Sequence, residues 1–357
     1  MTYKRVTLDF FLTQLFYIVI FLQGGQILRI SIALSAVLGV PVRVSKIRAG
    51  RSKPGLGAQH LKAIQLVAEM CEANANGTRI GSTEVEFSPG KIKGGNYVAN
   101  TGTAGSVSLL LQAALPCALM ADGPTTLELI GGTNAEMAPP VDFMSEVFRH
   151  TLRKFGADFS LEIHRRGYYP KGGGRVIVKV MPITRLYGVS ILESGVVQEI
   201  WGKSFVAGIL PVKMAQQMAD GAKQKLLEKC DKISIECYKE TKETAPDNCC
   251  GIMLWCKTSG DCVLGSDGLV KRGADAQQLG REAAQPLCDA LDAGACVDSH
   301  VQDQMILYMA LACGPSRVRV GELTLHLSTA IHVAEKIAQV PPIGRYLEQF
   351  LTRNLPT

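Results

Sequence analysis

The sequence predicts an α+β fold of repeated strand and helix units, with a smaller α/β domain inserted. Three observations carry that expectation. Apolar residues make up 47% and charged residues 20% of a 357-residue chain, an ordinary globular balance with core enough for two domains. Several segments share one layout: an apolar or alternating strand, a glycine-bearing turn, then an amphipathic helix. From about residue 186 to about 283 that layout gives way to another, and afterwards it returns.

In chain order, "QGGQILRISIALSAVLG" opens a helix from a glycine turn. "VRVSKIRA" alternates as a strand and leads through a Gly/Pro loop to "HLKAIQLVAEMC", where Leu61, Ile64, Val67 and Ala68 share a helix face. "TGTAGSVSLLLQAALP" supplies another glycine turn and helix. "TLELIGGTNAEMAPPVDFMSEVFRHTLRKFG" reads as strand, turn and helix, with Pro139 and Pro140 near the helix start and Gly156 beyond its end. The middle region reads as a strand, a helix from Val212 to Cys230 with Met214, Met218, Ala222 and Leu226 inward, the strand "KISIECYK", and a hairpin turning at Ser259 and Gly260. "VDSHVQDQMILYMALACG" and "VRVGELTLHLSTAIHVAEKIAQ" then resume the first style. The expected organisation is a discontinuous main domain, 1–185 with 284–357, interrupted by an inserted α/β domain, 186–283.

The formal charge is a modest +6, but the cations cluster. "KIRAGRSK" holds Lys46, Arg48, Arg51 and Lys53, and "HRRGYYPKGGGRVIVK" holds Arg165, Arg166, Lys171, Arg175 and Lys179, a distribution that favours a polyanionic partner. Eleven cysteines form an odd set without a C-x-x-C pair, so neither a zinc knuckle nor a disulfide framework is indicated, and a reducing, intracellular setting fits. Lys4 and Arg5 precede the apolar residues 10–22, a length that matches the apolar stretch of a secretory signal and falls short of the roughly 20 residues that span a bilayer. A buried strand is the other reading of that segment. No phosphate-binding P-loop is present, because "WGKSF" has Val197 where the first glycine belongs, and there is no G-x-G-x-x-G.

In "GELTLHLST" Leu323, Leu325 and Leu327 alternate with Thr324, His326 and Ser328, which places His326 on the polar face of a strand near its end. A helix capped by Ser328 or Thr329 is expected to follow, with His332 on its solvated side beside Glu335 and Lys336. The pattern leaves two readings of His326 open: a hydrogen-bonded structural histidine, or a group that acts on phosphate held at the helix N-terminus. A helix over 298–313 capped by Asp298 carries His300, Asp303 and Gln304 on one face. A solvated face explains them, and so does a nucleotide, since a ring that stacks, an acceptor and an amide match adenine and ribose. The glycine-dense runs "GGTNAEMAPP" and "RGYYPKGGGRV" read as tight turns or as close approach to a ligand. The tyrosines 168 and 169 among cations suit phosphate contact and base stacking on single-stranded RNA.

Taken together, "GGQILR", "KIRAGRSKPGL", "KIKGG", "TAGSVSLLLQ", "GGTNAEMAP", "RGYYPKGGG", "FVAGILP", "QDQ" and "TLHLSTAIH" closely resemble the RNA 3′-terminal phosphate cyclase family, from about Gly24 to about Gln339. The resemblance implies a large domain of repeated units similar to the C-terminal domain of bacterial translation initiation factor three, with a smaller inserted α/β domain. It implies an intracellular, nuclear enzyme without a membrane partner that uses ATP and Mg²⁺ or Mn²⁺ to convert an RNA 3′-terminal phosphate to a 2′,3′-cyclic phosphate through a histidine–AMP intermediate. It puts the nucleophile at His326 and the adenylate pocket at Gln112, Pro139, His300, Asp303 and Gln304. It offers Arg29, Arg48 and Arg51 for triphosphate and RNA phosphate, and assigns neither metal ligands nor an oligomeric state. Leu22 stands where the family has an acidic residue, Gln23 where it has a glycine, and the tail "VPPIGRYLEQFLTRNLPT" departs from the usual closing strand. Two alternatives follow: a low-activity variant, or a non-catalytic cyclase-like RNA-processing factor.

Overall fold

Two sheets of one plan carry the start of the chain, of which the computed structural model describes residues 18–21, 25–270 and 273–338. The first unit runs β1 (Ile18–Phe21), α1 (Gly25–Leu38), β2 (Val42–Ser45), α2 (Ala58–Met70), β3 (Asn74–Asn76) and β4 (Val85–Ser88). Its strands lie in the order β1-β2-β4-β3, with β1 and β2 parallel and the other pairs antiparallel. The second unit runs β5 (Gly95–Asn100), α3 (Val107–Leu119), β6 (Thr125–Gly131), then α4 (Val141–Phe143), a π turn (Met144–Phe148) and α5 (Arg149–Lys154), then β7 (Ser160–Arg165) and β8 (Gly174–Val180). Its order, β5-β6-β8-β7, and its strand directions repeat the first. Parallel neighbours need a crossover, and α1 and α3 provide it. Both helices are apolar on nearly every side, so they pack between other helices rather than against solvent.

A third unit opens with β9 (Leu186–Tyr187) and β10 (Ser190–Ile191). The chain then builds a separate layer: β11 (Val197–Ala207), α6 (Lys213–Leu226), β12 (Ile233–Lys239), β13 (Cys249–Thr258), β14 (Val263–Leu269) and α7 (Ala276–Asp292). Its sheet has the order β12-β11-β13-β14, and α6 and α7 cover it. These helices meet through glycine, since a Cβ at Gly280 would lie 1.9 Å from the Met218 carbonyl oxygen. Afterwards α8 (Val301–Leu311), β15 (Ala312–Cys313), β16 (Arg317–Val318) and α9 (Leu325–Ala338) resume the third unit. β15 pairs with β9 and β16 with β10, both in parallel. The inserted layer thus interrupts the crossover from β10 to α8. The expected limits at 186 and 283 fall within elements: positions 186–191 pair with strands beyond the insertion, and α7 continues unbroken past 283.

Three local expectations change or divide. Residues 321–327 do not form a strand: the Thr324 hydroxyl accepts from the Leu327 N–H (3.1 Å), capping a helix that begins at Leu325. Leu325 is 82% exposed and Leu327 1%, so the buried stripe is helical, continuing through Ala330, Ile331, Ala334 and Ile337. Gly202, Lys203 and Ser204 lie mid-strand in β11, paired on both sides, which agrees with the absence of a P-loop. In "RGYYPKGGG", Tyr168 is buried and stacked on Phe205 of the inserted layer, whereas Tyr169 is exposed. Arg166 beside them is buried against Asp142, donating from Nη2 to Oδ1 at 2.9 Å, and its Nε lies 3.4 Å from Glu240. That cation links the second unit to the insertion.

At the chain start, Ile18–Phe21 pairs in register with Val42–Ser45, so this part of the apolar stretch is a strand. Leu22, Gln23 and the tail beyond 338 lie outside the described residues. Among the described residues no helix is long and apolar enough to cross a membrane.

Candidate active site

Helices α1, α3 and α8 line a narrow cavity whose wall includes Gln26, Arg29, Gln112, Asp303 and Gln304. The first turn of α9 joins it through His326, the second residue of that helix and an exposed one. Gln26, 6% exposed on α1, connects all the chemistry. Its Nε2 donates to Asp303 Oδ2 (2.6 Å) and to the His326 carbonyl (3.1 Å), and its Oε1 lies 2.5 Å from His326 Nδ1. A backbone carbonyl accepts and never donates, so the amide nitrogen must face it and the amide oxygen must face the ring. His326 therefore carries its proton on Nδ1 and leaves the lone pair of Nε2 unblocked. That is the tautomer a nitrogen nucleophile needs.

The cations lie around this centre. Arg29 donates from Nε to Gln112 Oε1 (3.2 Å). Burial pulls its pKa down to about 10 despite the opposing charge of Asp303, and it remains a cation at neutral pH. Burial likewise raises the pKa of Asp303 against the pull of Arg29, His326 and His300. His60, at the start of α2, sits against the opening of α1: a Cβ at Gly25 would come within 2.4 Å of its Nε2. Glycine is what lets this imidazole approach. Burial, followed by the charges of Arg29 and Arg48, lowers the His60 pKa to about 4, so the ring is neutral. Its Nδ1 is buried without a hydrogen-bond partner. Arg48 donates to the Gly55 carbonyl (3.0 Å) from a loop held at φ +51°, and Arg51 is exposed three positions on. Two guanidiniums and an unpartnered imidazole nitrogen beside a helix opening suit an anionic oxygen.

On the other side, Asp298 caps α8 by accepting from the N–H groups of His300 (2.8 Å) and Val301 (3.0 Å). His300 meets the Phe143 ring edge to face at 5.1 Å, and Gln304 Nε2 donates to the His300 carbonyl (2.6 Å). Gln304 Oε1 is buried and unpartnered, an acceptor placed for an amine or hydroxyl from outside the protein. Pro139 is buried one residue before the helix cap at Pro140, on the turn that leads to Phe143. The structure thus gathers Arg29, Gln112, Asp303, Gln304 and His326, and joins His300 to Phe143, four residues after Pro139. Arg48 joins through His60, and Arg51 stays outside that contact set. Among the described residues no group of three or more His, Cys, Asp or Glu is placed to hold a metal ion.

Three residues escaped the sequence reading. Gln26 and Arg29 are long polar side chains spaced one turn apart on an otherwise apolar helix, which was the available signal for Gln26. His60 stands at the start of the helix named for Leu61, Ile64, Val67 and Ala68, and nothing in that pattern marks it for the site. Asp267, whose Oδ1 lies 3.2 Å from His300 Nε2, belongs to the inserted layer and had no sequence link to the pocket.

The family model described as RNA 3′-terminal phosphate cyclase matches residues 20–341. Among curated relatives, the RNA 3′-terminal phosphate cyclase of Drosophila melanogaster is 42% identical over 89% of this chain and 88% of its own. The proteins of the same name from Pyrobaculum aerophilum and Methanopyrus kandleri are 41% and 40% identical, covering 90% and 89% of this chain and 93% and 91% of theirs.

Proposed function

The chain belongs to the RNA 3′-terminal phosphate cyclase family and is an enzyme of that class, and from this premise we propose that it closes an RNA 3′-terminal phosphate into a 2′,3′-cyclic phosphate at the expense of ATP, with His326 as nucleophile. The observation that carries the proposal is the hydrogen bond between His326 Nδ1 and Gln26, which leaves the Nε2 lone pair free to attack.

In this reading His326 Nε2 attacks the α-phosphorus of ATP, a P–N bond forms, and the bond to the pyrophosphate oxygen breaks. Arg29 and Arg48 offset the charge that gathers on the phosphate oxygens, while Gln304 and His300 hold the adenosine. An oxygen of the RNA 3′-phosphate then attacks the same phosphorus, the P–N bond breaks, and the proton on Nδ1 keeps the departing imidazole neutral. The monoester has become an anhydride with AMP as leaving group. The neighbouring 2′-hydroxyl, held on the same ribose at a high effective concentration, attacks the 3′-phosphorus, releases AMP and closes the ring.

Incubation with α-labelled ATP tests the first step. Acid-labile label retained by the wild-type protein and lost in His326→Ala is the expected result, and an unlabelled wild type defeats the proposal. Labelling without cyclic product would instead favour the low-turnover alternative raised by Leu22, and Leu22→Glu should then restore cyclisation.

A further inference from the structure

The inserted layer reaches the pocket through β14. β14 is the edge strand of its sheet, and it packs on the helix that follows Pro139: a Cβ at Gly265 would touch Val147 and Phe143 at 2.9 and 3.0 Å. The Gly265 N–H donates to Asp298 Oδ2 (2.9 Å), and two residues on, Asp267 Oδ1 lies 3.2 Å from His300 Nε2. The ring at position 300 is therefore fixed on three sides. Phe143 meets it edge to face, Asp298 holds its backbone N–H, and Asp267 its Nε2.

We infer that the inserted layer contributes a positioning residue to the nucleotide pocket: Asp267 orients the His300 ring and pairs with it as an ion pair, so the base of ATP is held by an imidazolium. This inference rests on the proposed reading, in which His300 faces the base. A protonated imidazole attracts the π face of a purine more strongly than a neutral one. It also presents a donor at both ring nitrogens, where the neutral form presents one donor and one acceptor.

The charged groups facing this ring are Asp267 from β14, Asp298 from the turn before α8 and Asp303 from the next turn of α8. Phe143, from α4, adds none. Burial works against the charged ring, but the hydrogen bond and charge of Asp267, joined by Asp298 and Asp303, outweigh it and hold the His300 pKa above the ordinary imidazole range. The sign follows. The grip on ATP is complete at mildly acid pH and weakens as the pH rises through the raised pKa.

The test is the pH profile of histidine adenylylation, with KM for ATP separated from kcat. In the wild type, KM should rise about three- to thirty-fold between about pH 6 and pH 9 while kcat follows a different profile. Asp267→Asn keeps an acceptor but removes the charge, so the rise in KM should begin at lower pH. His300→Tyr, which keeps an aromatic ring without the titration, should flatten the rise. An Asp267→Asn profile that overlays the wild type overturns the inference. So does an NMR titration of the unmutated protein in which His300 loses its proton no later than exposed His332, a measurement that needs no variant to fold. A wild type that takes no label at any pH overturns the underlying reading itself, and is told apart by that.

Discussion

The first and second units share strand order, strand directions and crossover helices, yet they treat the opening of the crossover helix in opposite ways. In the second unit the opening is closed by protein. Ser106 caps α3 by accepting from the Leu109 N–H, its own N–H donates to Gln59 Oε1 (2.7 Å), and a Cβ at Gly132 would lie 2.4 Å from the Ala104 carbonyl oxygen. The glycines there allow backbone to lie on backbone. In the first unit the opening of α1 faces Arg29 and His60 Nε2, and His60 Nδ1, which lies beside Gly57 with Arg48, has no partner. The lesson is that one scaffold serves two ends. Polar groups satisfied from within hold the fold, and the same backbone becomes a site where they are left to an outside ligand.

Substitutions can break that contrast, beginning with the largest effect. Asp142→Ala strips the buried Arg166 of its bidentate partner in the closed unit, and about 3–5 kcal/mol of stability should be lost by urea titration. The fraction that remains folded should still take label from ATP. Arg29→Ala acts in the open unit and should do the reverse: about a hundredfold loss in kcat/KM for ATP, with the melting temperature nearly unchanged. A large fall in stability there would erase the contrast. Gln26→Leu leaves His326 in place but releases its tautomer, and adenylylation should slow about tenfold in single-turnover kinetics without a matching change in KM. Ser106→Ala removes the α3 cap and should cost about 1 kcal/mol in the same urea titration, with no effect on labelling.

The smallest effect near neutrality belongs to His60. Its pKa lies below the ordinary value in the folded chain, so the unfolded chain binds the extra proton first. Its contribution to stability is therefore complete above about pH 6.5 and declines as the pH falls toward its folded value of about 4. His60→Gln should flatten the acid side of a stability profile taken from pH 7 to pH 5. A slope unchanged by that substitution would show that other groups carry it.

Much of this was legible in the sequence because repetition is. Strand, glycine turn and apolar helix recur, and the α+β fold follows from burying those helices against one another and against the sheets. Asp298 was legible as a helix cap, and His300, Asp303 and Gln304 were legible because helical spacing puts them on one face. The strand expected at His326 failed for a physical reason. Three leucines at alternate positions imitate a strand, but Leu323 and Leu325 are exposed, and the threonine between them is a helix cap. Gln26 and Asp267 were out of reach because their partners lie in other elements, and proximity across elements leaves no periodic trace.

The bond between Gln26 and His326 joins residues 300 positions apart. A ribosome must therefore add the 300 residues that separate them before the imidazole meets the amide that sets its proton. Nascent and truncated chains without α9 should be inert toward ATP even where their first two sheets have already folded, and reactivity should appear abruptly, as one event, when α9 docks.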